Sequence, residues 1–417
     1  MTDPEAAEDG PPDGIPDIGL AEIEHAARVG ADRVRETPVV SSRTLSRRAG
    51  FTVALKAENL QRTGSFKVRG ALAKIAALGD GCAGGVVCGS AGNHAQAVAS
   101  AARSLGVPCE VFMPEFAPIA KVEAAIALGA TVRLVGTIVD ESLAAAKARA
   151  AEAGMAFIHP FNDPDVIAGQ GSVGLELLAQ VPDLSRVIVP VGGGGLISGI
   201  AIAVRSKRPE VEVIGVQVEA CAPFPASLQA GFPVPVESVR TIADGIAVKR
   251  PGELPLTLIK RWVKDMVLVS EDEVSEAMVF LLERTKLVVE GAGAVGVAAL
   301  LAGKLRPKEG TTAIVLSGGN VDAGLLAEVA RRHETQQGRR LVVQATLPDR
   351  PGTLALLLSL VGASGANLVD VQHIREGLDL HIRETAVQLV LETRGAEHAR
   401  AVSDAIRTAG YPEPKRF

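Results

Sequence analysis

Residues 85–114 read GVVCGSAGNHAQAVASAARSLGVPCEVFMP. An apolar, β-branched run at 85–90 stops in the small polar cluster Ser90, Ala91, Gly92, Asn93 and His94. An Ala-rich stretch over 94–104 follows, Gly106 and Pro108 punctuate it, and a second apolar run occupies 109–114. Short β-branched runs predict buried strands, and an Ala-rich run of this length predicts a helix. A strand that returns to a strand through one helix over about thirty residues is a βαβ unit, which joins parallel strands.

The same alternation extends in both directions. Strands are expected at 52–58, 131–136, 186–191, 212–219 and 312–318, with helices at 118–128 and 140–153. This is an α/β pattern with largely parallel sheets. Only 3% of residues are aromatic, so Ala, Val, Leu and Ile must fill the core. In open parallel sheets ligands bind at the carboxyl ends of the strands. Here those ends read NLQRTGSFK (59–67), GSAGNH (89–94), VGGGGL (191–196) and SGGN (317–320), so the polar and glycine-rich clusters fall where such a sheet binds ligands.

The pattern breaks at RRHETQQGRR (331–340), which has no apolar residue and reads as a linker or a solvated helix end. Beyond it come a strand at 341–347, a helix at 349–365 with a Pro entry, strands at 366–374 and 384–393, and a helix at 396–410. That βαββα order is one strand short of a ferredoxin-like α+β unit. Pro412 and Pro414 argue against a well-paired final strand. The expected organisation is an arm over 1–16, a catalytic region over 17–332, a linker over 333–340 and a small unit over 341–417. Within the catalytic region a smaller subdomain, about 60–160, is inserted into the larger one. The arm is acidic and Pro-rich, reads as disordered, and has no signal-peptide pattern.

Bulk properties exclude several classes. The 417 residues carry a net charge of −5, which leaves nucleic acid no basic footprint. Apolar runs break well short of the roughly 18 residues of a membrane span, so the cytoplasm is the expected compartment. Cys82, Cys88, Cys109 and Cys221 form no CxxC pair, and the seven histidines have no HExxH spacing, so no metal site is expected. A GxSxG elbow is absent.

Lys67 opens a helical run, where the positive end of the helix dipole disfavours its charge. A partly neutral amine is what Schiff-base chemistry needs. Ser65 alone reads as a helix cap and Phe66 alone as core. Gly192, Gly193, Gly194 and Gly195 lie between a strand and a helix and can close backbone amides on a phosphate. The run fits neither GxxxxGK[ST] nor GxGxxG, so it specifies no nucleotide. Ser90 to His94 offer a similar helix-start site for a carboxylate or phosphate.

Taken together, ENLQRTGSFKVRGA (58–71), SAGNHAQ (90–96), VGGGGL, EGAGA (290–294) and SGGN occur in an order that resembles the threonine dehydratases. These are pyridoxal-phosphate enzymes of the tryptophan-synthase-β-like class. The resemblance implies two open parallel-sheet α/β subdomains and elimination of water from threonine, and from serine, to give an oxoacid and ammonia. It implies that Lys67 links the cofactor aldehyde covalently and serves as the base. Phe66 would pack on the cofactor ring, Asn93 would bond its phenolic oxygen, Gly192 to Gly195 would bind its phosphate, and Ser317 would face its pyridine nitrogen. A serine there makes the ring a weaker electron sink than an aspartate would, which favours elimination over transamination. Ser65, Ser90, Ala91, Gly92, Asn93 and His94 would line the amino-acid substrate, and the assembly would be a homodimer or homotetramer.

Serine racemase of the same family is the nearest rival. Its second acid/base is a serine where this chain has Ala91, and its divalent site pairs a glutamate with a nearby aspartate. Here Glu219 is followed by CAPFPAS after one alanine, and that stretch holds no acid. A catalytically dead amino-acid sensor is the non-enzyme alternative, which the intact Lys67 and glycine run disfavour. Finally, DRPGTLALLLSLVGASGANLVDVQHIR (349–375) looks like an ACT domain. That resemblance implies an amino-acid effector such as isoleucine or valine between paired domains, near Asp349, Arg350, Pro351 and Gly352, with Asn367 adding a contact.

Overall fold

A computed structural model describes residues 18–237, 240–376, 378–413 and the backbone of 415–416. The arm at 1–16 lies outside the described residues. The chain divides into two compact units between Val321 and Asp322.

In the first unit the strands are β1 (Val39–Ser41), β2 (Val53–Lys56), β3 (Val86–Gly89), β4 (Cys109–Met113), β5 (Thr131–Leu134), β6 (Ala156–Phe157), β7 (Leu184–Pro190), β8 (Glu212–Val218), β9 (Asp265–Val269) and β10 (Thr311–Val315). They form a six-stranded sheet of order β1-β2-β10-β7-β8-β9 and a four-stranded sheet of order β5-β4-β3-β6. Every pairing is parallel except β1 with β2. All seven expected strands of this region form. β1, β6 and β9 are additions to that set: two are only two or three residues long, and β9 is only partly buried. β2, β3 and β10 are buried at every position, as strands covered by helices on both faces must be.

Each sheet has its own aliphatic core. Ala95, Val98, Ala99 and Ala102 of the helix Asn93–Leu105 pack with Val86, Cys88 and Val111 around the small sheet. Val187, Val189, Val213, Ala313 and Val315 pack with Ile197, Ile200 and Val204 around the large one. The helix Pro164–Gln180, capped by Asp163 with proline at its first position, lies between Lys67–Leu78 and Gly195–Lys207. Glycines permit this: a Cβ on Gly169 would lie 2.6 Å from the Arg69 carbonyl, and one on Gly199 would lie 2.3 Å from the Ile167 carbonyl.

A buried charge cluster fastens the same helices to the end of β2. Arg69 donates to Glu58 from Nε and Nη2 at 2.8 and 2.9 Å and to Glu176 from Nη1 at 2.5 Å. Lys56, fully buried, donates to Glu176, Gln180 and the Thr37 carbonyl. No described helix is long and apolar enough to cross a membrane.

The second unit opens with the helix Ala323–Gln336, which enters the stretch read as a linker and ends only four residues before β11. β11 (Arg340–Pro348), β12 (Asn367–Ile374), β13 (Leu378–Asp379), β14 (Glu384–Glu392) and β15 (Lys415–Arg416) follow, with helices Thr353–Ala363 and Ala396–Thr408. The main sheet is antiparallel, of order β11-β14-β12. Leu347, Leu357, Val361, Leu389, Leu391, Val402 and Ile406 form its core. The βαββα order is as expected. A fourth ferredoxin-like strand would run along the free edge of β11. There the Thr346 amide donates to the Pro412 carbonyl at 2.7 Å, and the tail instead pairs two residues of β15 with β13.

Candidate active site

The segment 59–66 is zippered along the end of β10. The Asn59 amide donates to the Leu316 carbonyl at 2.9 Å, the Phe66 amide to the Ser317 carbonyl at 3.1 Å, and the Gly319 amide to the Gly64 carbonyl at 2.9 Å. Gly64 takes φ +72°, and a Cβ there would lie 2.2 Å from Asn320 Oδ1. This register sets Phe66 as the residue before the helix Lys67–Leu78. Ser65 is therefore not the cap. Its hydroxyl is fully buried and has no hydrogen-bond partner.

Lys67 is the first helical residue, as expected, and its ammonium donates to the Pro160 carbonyl at 3.0 Å and lies 5.2 Å from the Phe66 ring centre. Burial pushes its pKa down to about 8, with the Glu290 carboxylate acting in the opposite sense. Burial, rather than the helix dipole, is thus the leading cause of its lowered proton affinity.

The second cluster lies at the end of β3. Gly92 precedes the helix Asn93–Leu105, and the Ser90 hydroxyl accepts from the Gly92 amide at 3.2 Å. Asn93 Nδ2 donates to Glu290 Oε1 at 2.7 Å, and Asn93 Oδ1 accepts from Asn320 Nδ2 at 2.7 Å. Asn320 and Asn93 thereby join the ends of β10 and β3. His94 turns into the core: Nε2 lies 2.9 Å from the Ile158 carbonyl, and burial with the nearby Lys67 charge pushes the ring down to about 3. The His94 ring is thus neutral and engaged within the core, leaving no side-chain hydrogen-bonding role at that position in a ligand site.

The glycine run follows β7. Gly194, at φ +95°, caps the helix Gly195–Lys207. A Cβ on Gly193 would lie 2.2 Å from the Phe161 ring, and one on Gly194 would lie 2.7 Å from Pro255. No side chain fits here, so the backbone N–H groups of a helix start are the only chemistry this turn offers, and they favour an anion. Ser317 is buried just beyond β10.

Sequence reasoning missed Glu290, Asn320 and Pro160 as members of this site. EGAGA was visible as a motif, yet nothing local marks its glutamate as buried. Glu290 is 5% exposed and caps the helix Gly291–Leu301. Glu219 lies elsewhere, 3.7 Å from the Lys304 ammonium, which also donates to Glu273 and to the Leu268 carbonyl.

In the second unit Gly352, at φ +87°, precedes the helix Thr353–Ala363, and Arg375 clamps Asp349 at 2.7 and 3.2 Å. Asn367 is not with them. It pairs opposite Glu392 and donates to its carboxylate, whereas Pro348 pairs with Glu384. Asn367 and Asp349 therefore sit at opposite ends of the sheet within one copy.

The family model described as "Pyridoxal-phosphate dependent enzyme" matches residues 31–318. The L-threonine ammonia-lyase of Thermotoga maritima is 46% identical over 395 residues, covering 94% of this chain and 98% of that protein. Among solved structures, a T.th. threonine deaminase superposes with TM-score 0.69 at 44% identity, covering 73% of this chain and 99% of that one. A maize serine racemase superposes with TM-score 0.72 at 34% identity, covering 76% and 98%.

The residues present fit the cofactor of that family. An aldehyde needs an amine that is partly neutral near pH 7–8, and Lys67 supplies one, lowered to about 8. A phosphate needs backbone donors with no side chain in the way, which residues 192–195 provide. The buried Ser65 hydroxyl, which the protein alone leaves unpaired, offers a hydrogen bond to a polar ligand. Pattern, relatives and cradle agree, and the chain belongs to the family of pyridoxal-phosphate dependent enzymes.

Proposed function

We propose that this chain is a threonine ammonia-lyase, converting L-threonine to 2-oxobutanoate and ammonia, and L-serine to pyruvate and ammonia. The observation that carries the reading is the buried Lys67 amine, with its proton affinity lowered to about 8, held on the Pro160 carbonyl at the start of the helix that follows the 59–66 segment zippered to the end of β10. The match over 94% of the chain to a protein with that activity supports it.

Pyridoxal phosphate, when bound, supplies an electron sink that acidifies the substrate Cα–H. Lys67 would hold its aldehyde, Phe66, Asn93 and Ser317 would hold its ring, and Gly192, Gly193, Gly194 and Gly195 would hold its phosphate. The Ser65 hydroxyl and the backbone of Ser90, Ala91, Gly92, Asn93 and His94 orient the substrate carboxylate. The Lys67 amine would take the α-proton and pass a proton to the β-hydroxyl, which would depart as water and leave an enamine that tautomerises and is hydrolysed to the oxoacid and ammonia. Placing the base over Cα adds proximity to basicity. Ala91 offers only a methyl group on the opposite face, so nothing at that position returns a proton and racemisation is disfavoured.

The second unit is read as an ACT domain that binds a branched-chain amino acid. Gly352 and the following helix start suit an effector carboxylate. Asn367 lies at the far end of the sheet, so it does not share a site with Asp349 within one copy; the effector is read as bound between paired copies in a homodimer or homotetramer.

Lys67→Ala should keep the fold but lose the covalent cofactor and at least roughly 10²–10⁴-fold of oxoacid production. Oxoacid release from threonine and the cofactor absorption band are the measurements. Wild-type turnover by this variant would sink the proposal.

A further inference from the structure

One buried acid in the site is given no task by the chemistry above. Glu290 sits at the start of the helix Gly291–Leu301 with its backbone amide on the Gly318 carbonyl at 3.1 Å. Its side chain fills a slot that two glycines keep open. A Cβ on Gly318 would lie 2.2 Å from Oε1, and one on Gly245 would lie 3.4 Å away. The slot points at Asn93.

The hydrogen bonds along this line have fixed directions. The Thr63 carbonyl can only accept, so Asn320 must turn its NH₂ group towards it, at 2.8 Å. The same NH₂ group donates to Asn93 Oδ1 at 2.7 Å, which turns Asn93 Nδ2 towards Glu290 Oε1 at 2.7 Å. One Nδ2 hydrogen is thus committed to Glu290, and one remains for a ligand. The chain of amides begins on a backbone carbonyl and ends on a titratable group.

We propose that Glu290 is a positioning residue that sets the proton occupancy of Lys67 and, through Asn93, of the cofactor ring oxygen. The inference rests on the cofactor reading above. An ionised Glu290 raises the proton affinity of the Lys67 amine by Coulomb attraction, against the larger effect of burial, and a neutral one leaves it lower. Burial and the Asp244 carboxylate raise the carboxyl to about 7, while Asn93, Lys121 and the Asn320 amide pull it down. Asp244 lies in the turn Asp244–Ile246 and pairs with Lys121 at 3.3 Å. These are the charged groups that act on Glu290, and Glu290 in turn acts on Lys67. A change in its charge therefore falls in the range where the lysine must serve as a base.

Glu290→Gln retains an oxygen for Asn93 and removes the charge, and Glu290→Asp retains the charge on a shorter arm. Three readouts decide the matter: the pH midpoint of cofactor capture by apoprotein, the pH dependence of the bound cofactor's absorption, and the split between KM and kcat for threonine. For Glu290→Gln the capture midpoint should fall by about one pH unit, since the neighbouring charge is gone. The step expected near pH 7 in the wild-type absorption titration should vanish, with the kinetic change falling on kcat more than on KM; a wild type without that step would count against the inference. Glu290→Asp should restore that step. Identical midpoints and titrations in wild type and Glu290→Gln would overturn the inference, even with full activity. Failure of the wild-type protein to take up pyridoxal phosphate would instead defeat the functional reading.

Discussion

At the scale of single residues, the site rests on two groups whose proton affinities approach each other. Lys67 is pushed down to about 8 and Glu290 is pushed up to about 7. Both shifts come first from burial, which penalises the charged form of each. The lysine shift has a direct kinetic consequence in apoprotein. Only the neutral amine attacks an aldehyde, and its fraction rises as pH passes the folded-state value. Cofactor capture should therefore accelerate with pH, level off above about 8, and not wait for the 10.5 of an ordinary lysine. Stopped-flow absorbance on apoprotein, from about two units below that value up to the ordinary lysine value and taken where wild type stays folded, measures this. A rate still climbing about tenfold per pH unit well beyond the folded-state value would contradict the buried amine. Lys67 was visible in the sequence because it opens a helix after a distinctive run. Glu290 was not, because a glutamate before a helix ordinarily faces solvent, and only the glycines at 245 and 318, distant in sequence, make the slot that buries it.

At the scale of elements, the helix that begins with Lys67 is held from behind by ions. Arg69 is 2% exposed and Glu58 is fully buried, and Glu176 on the helix Pro164–Gln180 is shared between Arg69 and Lys56. Arg69 holds the Glu58 carboxyl below its ordinary range against the opposing effect of burial, which is the larger single influence. Arg69→Ala would leave Glu58 buried without its main partner. Breaking a buried pair in this way costs about 3–5 kcal/mol. Denaturant unfolding of the apoprotein should register that loss, whereas Arg48→Ala, which removes a solvent-exposed pair with Glu276, should register about 0–1 kcal/mol. Equal effects of the two substitutions would refute the view that this cluster anchors the helix. Little of this was legible beforehand. The buried strands announce themselves by β-branched runs, since their residues meet helices on both faces. Paired charges do not, because burial of Lys56, Glu58 and Arg69 depends on glycines at 70 and 169 bringing two helices together. β1 and β6 lie below the length at which periodicity carries information.

At the scale of the whole molecule, the question is where one unit stops and what the other contributes. The sequence break at 331–340 suggests a boundary near 333, because that stretch lacks apolar residues. The helix Ala323–Gln336 in fact belongs with the second unit, and the division falls after Val321. The polar stretch marks a solvated helix end, which composition alone does not separate from a linker. The family model matches residues 31–318, all within the first unit, so the first unit is expected to act as an enzyme by itself. Truncation after Val321 is therefore the cleaner cut, since cutting near 332 would strand most of a helix that belongs to the missing unit. The truncated protein should fold, bind cofactor and turn over threonine. The full chain should respond to isoleucine or valine with a change in apparent threonine affinity of roughly 5–150-fold, the usual range of coupling between sites. The truncated chain should not respond at all. Threonine saturation curves of both proteins, with and without each amino acid, together with calorimetric titration of the full chain, decide the matter. An unchanged curve and no heat of binding for the full chain would leave the second unit as an association module alone. A response that survives truncation would place the effector site on the first unit instead.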